Sequence, residues 1–394
     1  MQNQRKSRLN PVVGAARRSV ADVLDQVFGA GTVAPTGGQA QRGEGERPLI
    51  LAAVSGGPDS LALAVLLAHF NRRQDVRVGA VVVDHQLQDG SAQVADETAQ
   101  VLQGLGLAPV LVQKVTVDEG KEGPEMAART ARYGAFAKAL AETGADVVAL
   151  GHTLDDQAET VLLGLARGSG TRSLAGMPVE RIENHPAGPV RVIRPLLALR
   201  RSEIEEICAD AGLSPWYDPT NADQSLMRAR VRHSVLPYLE EHLGGGVAVS
   251  LARTATIAGA DADYLAGQAQ AALASVLIRA DELAPAAPAL AASVGVQDLT
   301  GAILLDRATL AGMHPALRTR VLALALEQAG GTASGFERLA ALDTFICDHG
   351  TAGPLQLPGH VSAYRRRPGA TLMRGAQAIN LKKTGLIVLL RPTP

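Results

Sequence analysis

The stretch LILAAVSGGPDSLALAVLLAHF, residues 49–70, has the pattern of a buried strand, a glycine turn and a helix. Residues 49–54 form an apolar run short enough for a parallel strand, and the helix-favouring run begins at residue 60. The turn between them, SGGPD, contains two glycines, which have no Cβ and let an anion approach the backbone. Because the N–H groups at a helix N-terminus point outward, this turn predicts a phosphate site.

The turn after the first strand is not a Walker A loop, because no lysine follows Gly57. It resembles the S-G-G-x-D-S loop of the ATP pyrophosphatases, which hold the pyrophosphate of ATP while a substrate oxygen attacks the α-phosphate and becomes adenylated. An ordinary strand-to-helix turn capped by Ser55 or Asp59 is the alternative. The resemblance implies ATP, Mg²⁺ near Asp59, and six ATP-binding residues: Ser55, Gly56, Gly57, Pro58, Asp59 and Ser60.

Composition excludes several classes of protein. The chain has 394 residues, enough for two or three domains, and 46% hydrophobic residues provide ample core. Its formal net charge is -1, so contact with nucleic acid must come from local basic patches. Cys208 and Cys347 form no C-x-x-C pair, which argues against a disulfide framework or a cysteine-built metal cluster and predicts a cytoplasmic protein. No stretch is predicted to cross a membrane.

Strands and helices alternate after the first turn. The pattern predicts further strands at residues 76–83, 109–117 and 146–150, and helices at residues 91–105, 125–143 and 157–165. This alternation predicts an α/β fold with a doubly wound parallel sheet, in which ligands bind at the carboxyl ends of strands. Three polar clusters lie at such ends: SGGPDS, Asp84-His85, and GHTLDDQAET at residues 151–160.

The third polar cluster combines one histidine with three acids. His152 follows a predicted strand, and Asp155, Asp156 and Glu159 lie in the first turns of the next helix. Carboxylates there can hold Mg²⁺ together with substrate phosphates, or can bind a substrate ammonium group. The alternative is that acids simply favour helix N-termini, where they interact with the helix dipole. The histidine at the strand end favours a functional site.

Several motifs, in the same order, resemble those of the tRNA(Ile)-lysidine synthetases, a cytosolic bacterial branch of the ATP pyrophosphatases. The matching segments are Glu125, Arg129, Arg132, Tyr133 and Phe136 of an E-A-x-A-R-x-x-R-Y-x-x-F pattern, residues 151–160, RGSGTRSLAGM at 167–177, VIRPLL at 192–197, DPTN at 218–221 and RARVRHSVLP at 228–237. Three positions depart from the family pattern: Gln86 and Ser173 each replace a glycine, and Ala229 replaces an asparagine. The resemblance is strong over residues 49–237.

The resemblance implies an ATP-dependent ligase that converts the wobble cytidine of the isoleucine tRNA with a CAU anticodon to lysidine. ATP would adenylate the cytosine carbonyl oxygen, and free L-lysine would then attack the carbon and release AMP. The residues implied as catalytic are Asp59, Arg129, Arg132, His152, Asp155, Asp156, Glu159 and Arg228. Arg129 and Arg132, at helical spacing, could instead belong to a packing face with an ion pair, and residues 228–232 could be a solvated charge run.

The order of segments predicts four parts. Residues 1–46 contain a helix and a flexible linker that starts at residue 29, and residues 47–243 form the catalytic α/β domain, which the resemblance makes adenine nucleotide α hydrolase-like. Residues 244–349 form a helical domain with a loop at 283–294, and residues 350–394 form a small strand-rich α+β region. The arginines at 365–367 are either a solvated surface or a tRNA contact.

Two other functions are alternatives. One is a tRNA thiolation enzyme of the same superfamily, in which sulfur is the nucleophile; the cysteine count argues against it, because such chemistry uses cysteine pairs. The other is a tRNA-binding module that keeps the nucleotide fold without catalysis, and the intact Asp59, Asp155 and Asp156 argue against it. The resemblance leaves the oligomeric state open, with a homodimer as one option.

Overall fold

The computed structural model describes residues 10–34, 46–86, 90–117, 123–168, 170–217, 226–283, 286–332, 335–348, 350, 352–374 and 377–391. The chain divides into two compact units, Met1–Ile257 and Ala258–Pro394. The predicted division into four parts stays a prediction. The DPTN segment lies outside the described residues. In the described ranges, no helix has the length and apolar character needed to cross a membrane.

Helices and strands alternate in the first unit. Its helices are α1 (Pro11–Phe28), α2 (Pro58–Arg72), α3 (Ser91–Gly104), α4 (Pro124–Thr143), α5 (Leu154–Arg167), α6 (Thr171–Leu174), α7 (Arg201–Asp210), α8 (Met227–Arg230) and α9 (Leu236–Leu243). Its strands are β1 (Leu49–Ala53), β2 (Arg77–Asp84), β3 (Val110–Lys114), β4 (Val147–Ala149), β5 (Glu180–Glu183) and β6 (Val190–Ile193). A π-helical turn, Val231–Val235, joins α8 to α9, and a long helix, α10 (Val247–Val276), follows.

The six strands form one sheet in the order β3-β2-β1-β4-β6-β5. The first five are parallel, and β5 runs antiparallel to β6 at the edge. The strand order reverses between β1 and β4, which is the position where ligands bind in sheets of this class. The predicted α/β fold is therefore confirmed, and the SGGPDS and GHTLDDQAET segments follow the two strands at the reversal.

Helices cover both faces of this sheet. Along β1, Ile50 and Ala52 face one side, where they pack with side chains of α1, α2, α3 and α7. Leu51 faces the other side and packs with Tyr133 and Phe136 of α4. Side chains point to the same face every two residues in a strand and about every 3.6 residues in a helix, and this spacing brings the apolar side chains together. Tyr133 and Phe136 thus belong to the packing face of their helix.

The N-terminal helix is confirmed, and Asn10 caps it by accepting a hydrogen bond from Val12 N at 2.9 Å. The prediction of a flexible linker from residue 29 is wrong for residues 29–34. Thr32 is fully buried, and the Asp75 carboxylate accepts a hydrogen bond from Ala34 N at 3.1 Å. Side-chain carboxylates elsewhere in the unit therefore order this segment, which its own composition does not reveal. Residues 35–45 lie outside the described residues.

The second unit contains helices and an antiparallel sheet. Its strands are β7 (Leu277–Ile278), β8 (Ile303–Asp306), β9 (Leu355–Leu357), β10 (Val361–Arg366), β11 (Thr371–Arg374), β12 (Gln377–Asn380) and β13 (Leu386–Leu390). Five of them form a sheet in the order β7-β8-β13-β10-β9, and β11 pairs with β12. Its remaining helices are α11 (Ala287–Ser293), α12 (Arg307–Gly312), α13 (Pro315–Gln328), α14 (Phe336–Cys347) and α15 (Leu381–Thr384).

One core in the second unit joins helices and strands, because Leu342 of α14 and Val361 of β10 are buried in the same cluster. The loop predicted at residues 283–294 is wrong, since α11 forms there and buries Leu290 and Ala291. The prediction relied on prolines as helix breakers. Pro288 lies in the first turn of α11, where a missing N–H removes no hydrogen bond, so it starts the helix.

Candidate active site

The SGGPDS segment forms a closed loop between β1 and α2. Ser60 Oγ accepts a hydrogen bond from Ser55 N at 3.1 Å and donates one to Gly57 O at 2.9 Å. Gly56 has a φ of +85°, and a Cβ at this position would lie 2.8 Å from Thr98 Oγ1. A side chain there would therefore suffer both backbone strain and a clash. The sequence places glycine at the point where the loop is tightest.

The first turn of α2 is open to an anion. Its N-cap is Gly57, no side chain caps the helix, and Pro58 occupies the first turn. The capping alternative, with Ser55 or Asp59 bonded to the helix end, is therefore absent from the structure. Backbone N–H groups at a helix N-terminus, together with the positive end of the helix dipole, suit a phosphate group.

Asp59 lies in this first turn with only one carboxylate oxygen paired. Its Oδ2 accepts a hydrogen bond from Arg201 Nη2 at 3.3 Å, whereas its Oδ1 is buried and has no hydrogen-bond partner among the described residues. Burial raises the pKa of Asp59 to about 6; Arg201 opposes the rise and the nearby Asp156 charge adds to it. A buried carboxylate oxygen without a partner suits a cation that arrives with the substrate.

The end of β4 touches the start of α2. A Cβ at Gly151 would lie 2.8 Å from Asp59 O and 3.1 Å from Ser60 N. Because glycine has no Cβ, the segment after β4 can approach the phosphate loop this closely. The first and third polar clusters are thus brought together, as the predicted sheet requires.

Asp156 is a buried member of the third cluster. Its Oδ2 accepts hydrogen bonds from Thr153 N at 2.8 Å and Thr153 Oγ1 at 3.0 Å, and its Oδ1 pairs with Arg232 at 2.8 Å. Burial alone would raise the pKa of Asp156. The hydrogen bond from Thr153 and the positive charges of Arg228 and Arg232 outweigh burial, so the pKa is lowered and the carboxylate is ionised at neutral pH.

Glu159 is fully buried and is held by two arginines. Arg232 Nε donates to Glu159 Oε1 at 2.5 Å, and Arg228 Nε donates to Glu159 Oε2 at 3.0 Å. The two arginines are four residues apart and come from α8 and the π-helical turn after it. Turns of this kind inside helices frequently mark functional sites.

Asp155 has different partners from Glu159, although a spacing of four residues places both on one face of the helix. Its Oδ1 pairs with Arg200 at 3.2 Å, and its Oδ2 accepts a hydrogen bond from Arg201 N at 2.8 Å. All three acids of the cluster therefore already hold guanidinium or backbone N–H groups. Their predicted role as the ammonium site for lysine stays a prediction, and it now requires displacement of an arginine.

His152 is buried beside these acids, and its Nδ1 has no hydrogen-bond partner among the described residues. Burial lowers the pKa of His152 to about 4, with contributions from the charges of Arg194 and Arg132, so the imidazole is neutral at pH 7. His85, after β2, is a similar case, because burial and the Arg132 charge lower its pKa as well. Two neutral histidines thus lie near one arginine of α4.

The two predicted arginines of α4 differ in position. The charge of Arg132 reaches both histidines of the site. Arg129 pairs with Glu183 of β5 at 3.2 Å, and its guanidinium lies 4.7 Å from the centre of the Tyr133 ring. Arg129 therefore makes the ion pair that the packing alternative predicted, whereas the catalytic role of Arg132 stays a prediction.

Arg200 and Arg201 were not predicted from the sequence, and Arg232 was expected only as part of the basic run at residues 228–232, whose alternative to a solvated surface is a tRNA or phosphate contact. No local sequence pattern links these arginines to the acids that they contact, because long stretches of chain separate them. Arg201 and Asp59, for example, are 142 residues apart. The spacing of four residues between Arg228 and Arg232 is the one local hint that both could face the same partner.

Comparison with known proteins identifies the family. Residues 38–239 match the model of the PP-loop domain, and residues 305–369 match that of the TilS substrate binding domain. The chain is 44% identical over 311 residues to the tRNA(Ile)-lysidine synthase of Leifsonia xyli subsp. xyli (strain CTCB07), an alignment that covers 79% of this chain and 86% of that protein. The chain belongs to the tRNA(Ile)-lysidine synthase family.

A second lysidine synthase, from Bifidobacterium longum subsp. infantis, is 39% identical over 377 residues, which cover 92% of this chain and 95% of that protein. Among solved structures, the U34-tRNA thiolase NcsA from Methanococcus maripaludis, with its [4Fe-4S] cluster, gives a TM-score of 0.46 at 19% identity, over 62% of this chain and 78% of that one. This likeness is too low to carry an argument about function.

Cysteine chemistry has little support in this lysidine synthase family member. Cys208 is buried, and burial raises the pKa of its thiol to about 11, which disfavours the reactive thiolate. Cys347 belongs to the other compact unit. In the part of the chain that the structure describes, no group of three or more His, Cys, Asp or Glu side chains could hold a metal ion.

Proposed function

We propose that the chain forms lysidine at the wobble cytidine, C34, in two steps where the SGGPDS loop meets the segment after β4. In the first, the cytosine carbonyl oxygen attacks the α-phosphate of ATP and pyrophosphate leaves. In the second, the ε-amino nitrogen of free L-lysine attacks the carbon, and AMP leaves with that oxygen. As a member of the tRNA(Ile)-lysidine synthase family, the chain is an ATP-dependent ligase. The unpartnered Oδ1 of Asp59, beside the open first turn of α2, carries the site assignment.

The phosphate groups of ATP fit the loop and the start of α2. Donors for them are the uncapped N–H groups of the first turn and the Ser55 hydroxyl. Mg²⁺ fits beside Asp59, and because no described cluster could hold a metal by itself, most of its ligands would be phosphate and water oxygens. When bound, it offsets the negative charge that develops on the phosphates. Arg201, paired with Asp59, is a second positive group for that charge.

Free lysine must lose a proton before it attacks, because the ε-ammonium group has a pKa of about 10.4 in water. His152 is the base that the geometry favours, since its imidazole is neutral at pH 7 and its Nδ1 has no partner among the described residues. Anionic phosphates entering the site would raise the pKa of His152 from about 4 toward the range of an effective base.

The lysine ammonium group would lie against Asp156 and Glu159, which are occupied by arginines. Arg228 is the more exposed of the two, at 40% of its side chain against 24% for Arg232. Displacing Arg228 from Glu159 therefore disturbs fewer buried contacts than displacing Arg232. We place Arg228 in the second step, as the group that moves when lysine binds.

The test is incubation of the purified protein with ATP, radiolabelled lysine and a tRNA transcript that carries the CAU anticodon. A transcript that differs only in carrying GAU is the matched control. We expect label in the CAU transcript alone, with one AMP per lysine, and no AMP from Asp59→Ala. Label in both transcripts, or normal AMP formation by Asp59→Ala, would contradict the proposal. Sulfur incorporation instead of lysine would favour the thiolation alternative.

The proposed setting is the cytoplasm, where tRNA, ATP and free lysine occur together. Fractionation of cells that express the protein would test it. The oligomeric state, with a homodimer as one option, can be measured by sedimentation of the purified chain at several concentrations.

A further inference from the structure

A basic pocket lies along α5, beyond the acids of the candidate active site. Its volume is about 360 Å³, and its walls come from α5, from α8 and from residues 172–176. Three of the lining residues are arginines: Arg167, Arg172 and Arg228. None of the described residues that line the pocket is an acid. The pocket is therefore suited to an anion, although the chain as a whole has a net charge of -1.

The wall formed by residues 172–176 is fixed against α5 through Ser173 and the adjacent Met177. The mostly buried Gln157 donates from Nε2 to Met177 O at 2.7 Å and accepts from Met177 N at 2.6 Å, so its amide is bonded on both sides. Farther along the helix, a Cβ at Gly164 would lie 2.5 Å from Ser173 O. Glycine there allows the segment to lie directly on α5. These contacts define the shape of the pocket before any ligand binds.

Arg167 has charge available for a ligand. No carboxylate in the described ranges pairs with it, and its side chain is exposed at the end of α5. Arg228 is held by Glu159, but 40% of its side chain is exposed to the pocket and solvent. Thr160 and Ser173 add hydroxyl groups, and Leu163 and Met227 add apolar surface.

We propose that this pocket binds a backbone phosphate of the tRNA, at a nucleotide close to the reacting cytidine. The inference rests on the proposed function and deepens it. Eleven residues separate Asp156 from Arg167, which corresponds to about 16 Å along a helix, so the far end of the pocket is too distant for the phosphates of an ATP bound at α2. RNA is the polyanion that extends over such a distance. The apolar side chains can contact the sugar or base of the same nucleotide.

The test is tRNA binding by Arg167→Ala and Arg172→Ala, measured by filter binding over a range of KCl concentrations. Each variant should weaken binding of the CAU transcript roughly five- to tenfold, and the slope of log affinity against log salt should fall by about 0.7 to 0.9 for each lost phosphate contact. KM for ATP and for lysine should stay within twofold. Arg18→Ala, which removes an exposed arginine of α1, is the control and should bind like the parent chain.

The conservative variant Arg167→Lys should keep the salt slope of the parent, since a phosphate contact needs a positive charge. An unchanged slope in both alanine variants would overturn the inference and show a solvated surface. A raised KM for lysine with unchanged tRNA binding would overturn it in favour of a site for the lysine carboxylate. Binding is measured without catalysis, so the two proposals can fail separately. If the proposed function is wrong, the parent chain forms no lysidine; if the pocket is wrong, the alanine variants bind tRNA like the parent chain.

Discussion

Asp59→Asn should stabilise the fold while it abolishes AMP formation. Folding raises the Asp59 pKa from 3.8 to about 6, mainly through burial, so the ionised carboxylate is disfavoured in the folded protein. A shift of about 2 units corresponds to roughly 3 kcal/mol of lost stability at neutral pH. Asparagine has nearly the same shape and no charge, and therefore removes this term. The same change removes the carboxylate proposed to hold Mg²⁺.

The pairing with Arg201 is already part of this figure, because its charge opposes the effect of burial and the pKa of about 6 is the net result. Arg201 loses its charged partner in Asp59→Asn, but its side chain is 31% exposed, so water replaces much of the interaction. The expected net stabilisation therefore stays at roughly 2 to 3 kcal/mol.

The stabilisation by Asp59→Asn should depend on pH, because Asp59 is protonated at low pH and ionised at high pH. Stability from the raised pKa of Asp59 is fully present below pH 3.8 and is lost as the pH rises through about 6. The difference in unfolding free energy between Asp59→Asn and the parent should therefore grow between about pH 4.5 and about pH 6.5 and be constant above about pH 7. A difference in unfolding free energy that stays the same at all these pH values would refute this account.

The assay uses the single tryptophan of the chain, Trp216, whose backbone N bonds Gly56 O at 3.0 Å and which therefore reports on the loop. Urea unfolding at several pH values, followed by its fluorescence, gives the two free energies. Asp22→Asn, at an exposed acid of α1, is the control and should show no such growth with pH. Equal or lower stability of Asp59→Asn at about pH 7.5 would also refute the reasoning.

Three further predictions follow from single contacts. Gly151→Ala should raise KM for ATP and slow AMP formation, because the new Cβ would lie 2.8 Å from Asp59 O; unchanged ATP kinetics would contradict this reading. Glu159→Gln should lower the urea unfolding free energy by about 2 kcal/mol, since two partly buried guanidinium groups lose the charge of a buried carboxylate, and stability equal to the parent would show that water compensates. Arg365→Ala should lower the melting temperature without changing the slope of log tRNA affinity against log salt. A smaller slope would show that Arg365 contacts the RNA.

The prediction for Arg365 tests two alternatives that the sequence left open. The run at residues 365–367 suggested either a solvated surface or a tRNA contact. In the structure, Arg365 donates to Phe345 O at 3.2 Å and also to the carbonyl oxygens of Asp348 and Gly350. Arg366 donates to Ser293 O at 2.8 Å. These guanidinium groups satisfy backbone carbonyls after α14 and α11, a role that depends on contacts between distant segments and that a basic run does not reveal.

The sequence predicted what depends on neighbours along the chain. The SGGPDS turn, the alternation of strands and helices, and the polar residues at strand ends follow from local periodicity and glycine content, and the sheet then brings the clusters together. The arginine partners of the acids were missed because each pairing joins separate elements; Glu159 and Arg232 are 73 residues apart. The structured residues after α1 were missed for the same reason, since Asp75 orders them from the loop before β2.

The pairings in the site change what its acids do. Asp155, Asp156 and Glu159 hold the guanidinium groups of three arginines, Arg200, Arg228 and Arg232, and both substrates that enter, ATP and tRNA, are polyanions. Without the acids, these guanidinium groups would repel one another at close range; with them, the positive groups stay assembled until phosphates arrive. In the proposed mechanism, the acids would then become available to the lysine ammonium group as phosphate draws Arg228 away. Binding of the polyanions would thus prepare the lysine site, which orders the two steps: adenylation first, attack by lysine second.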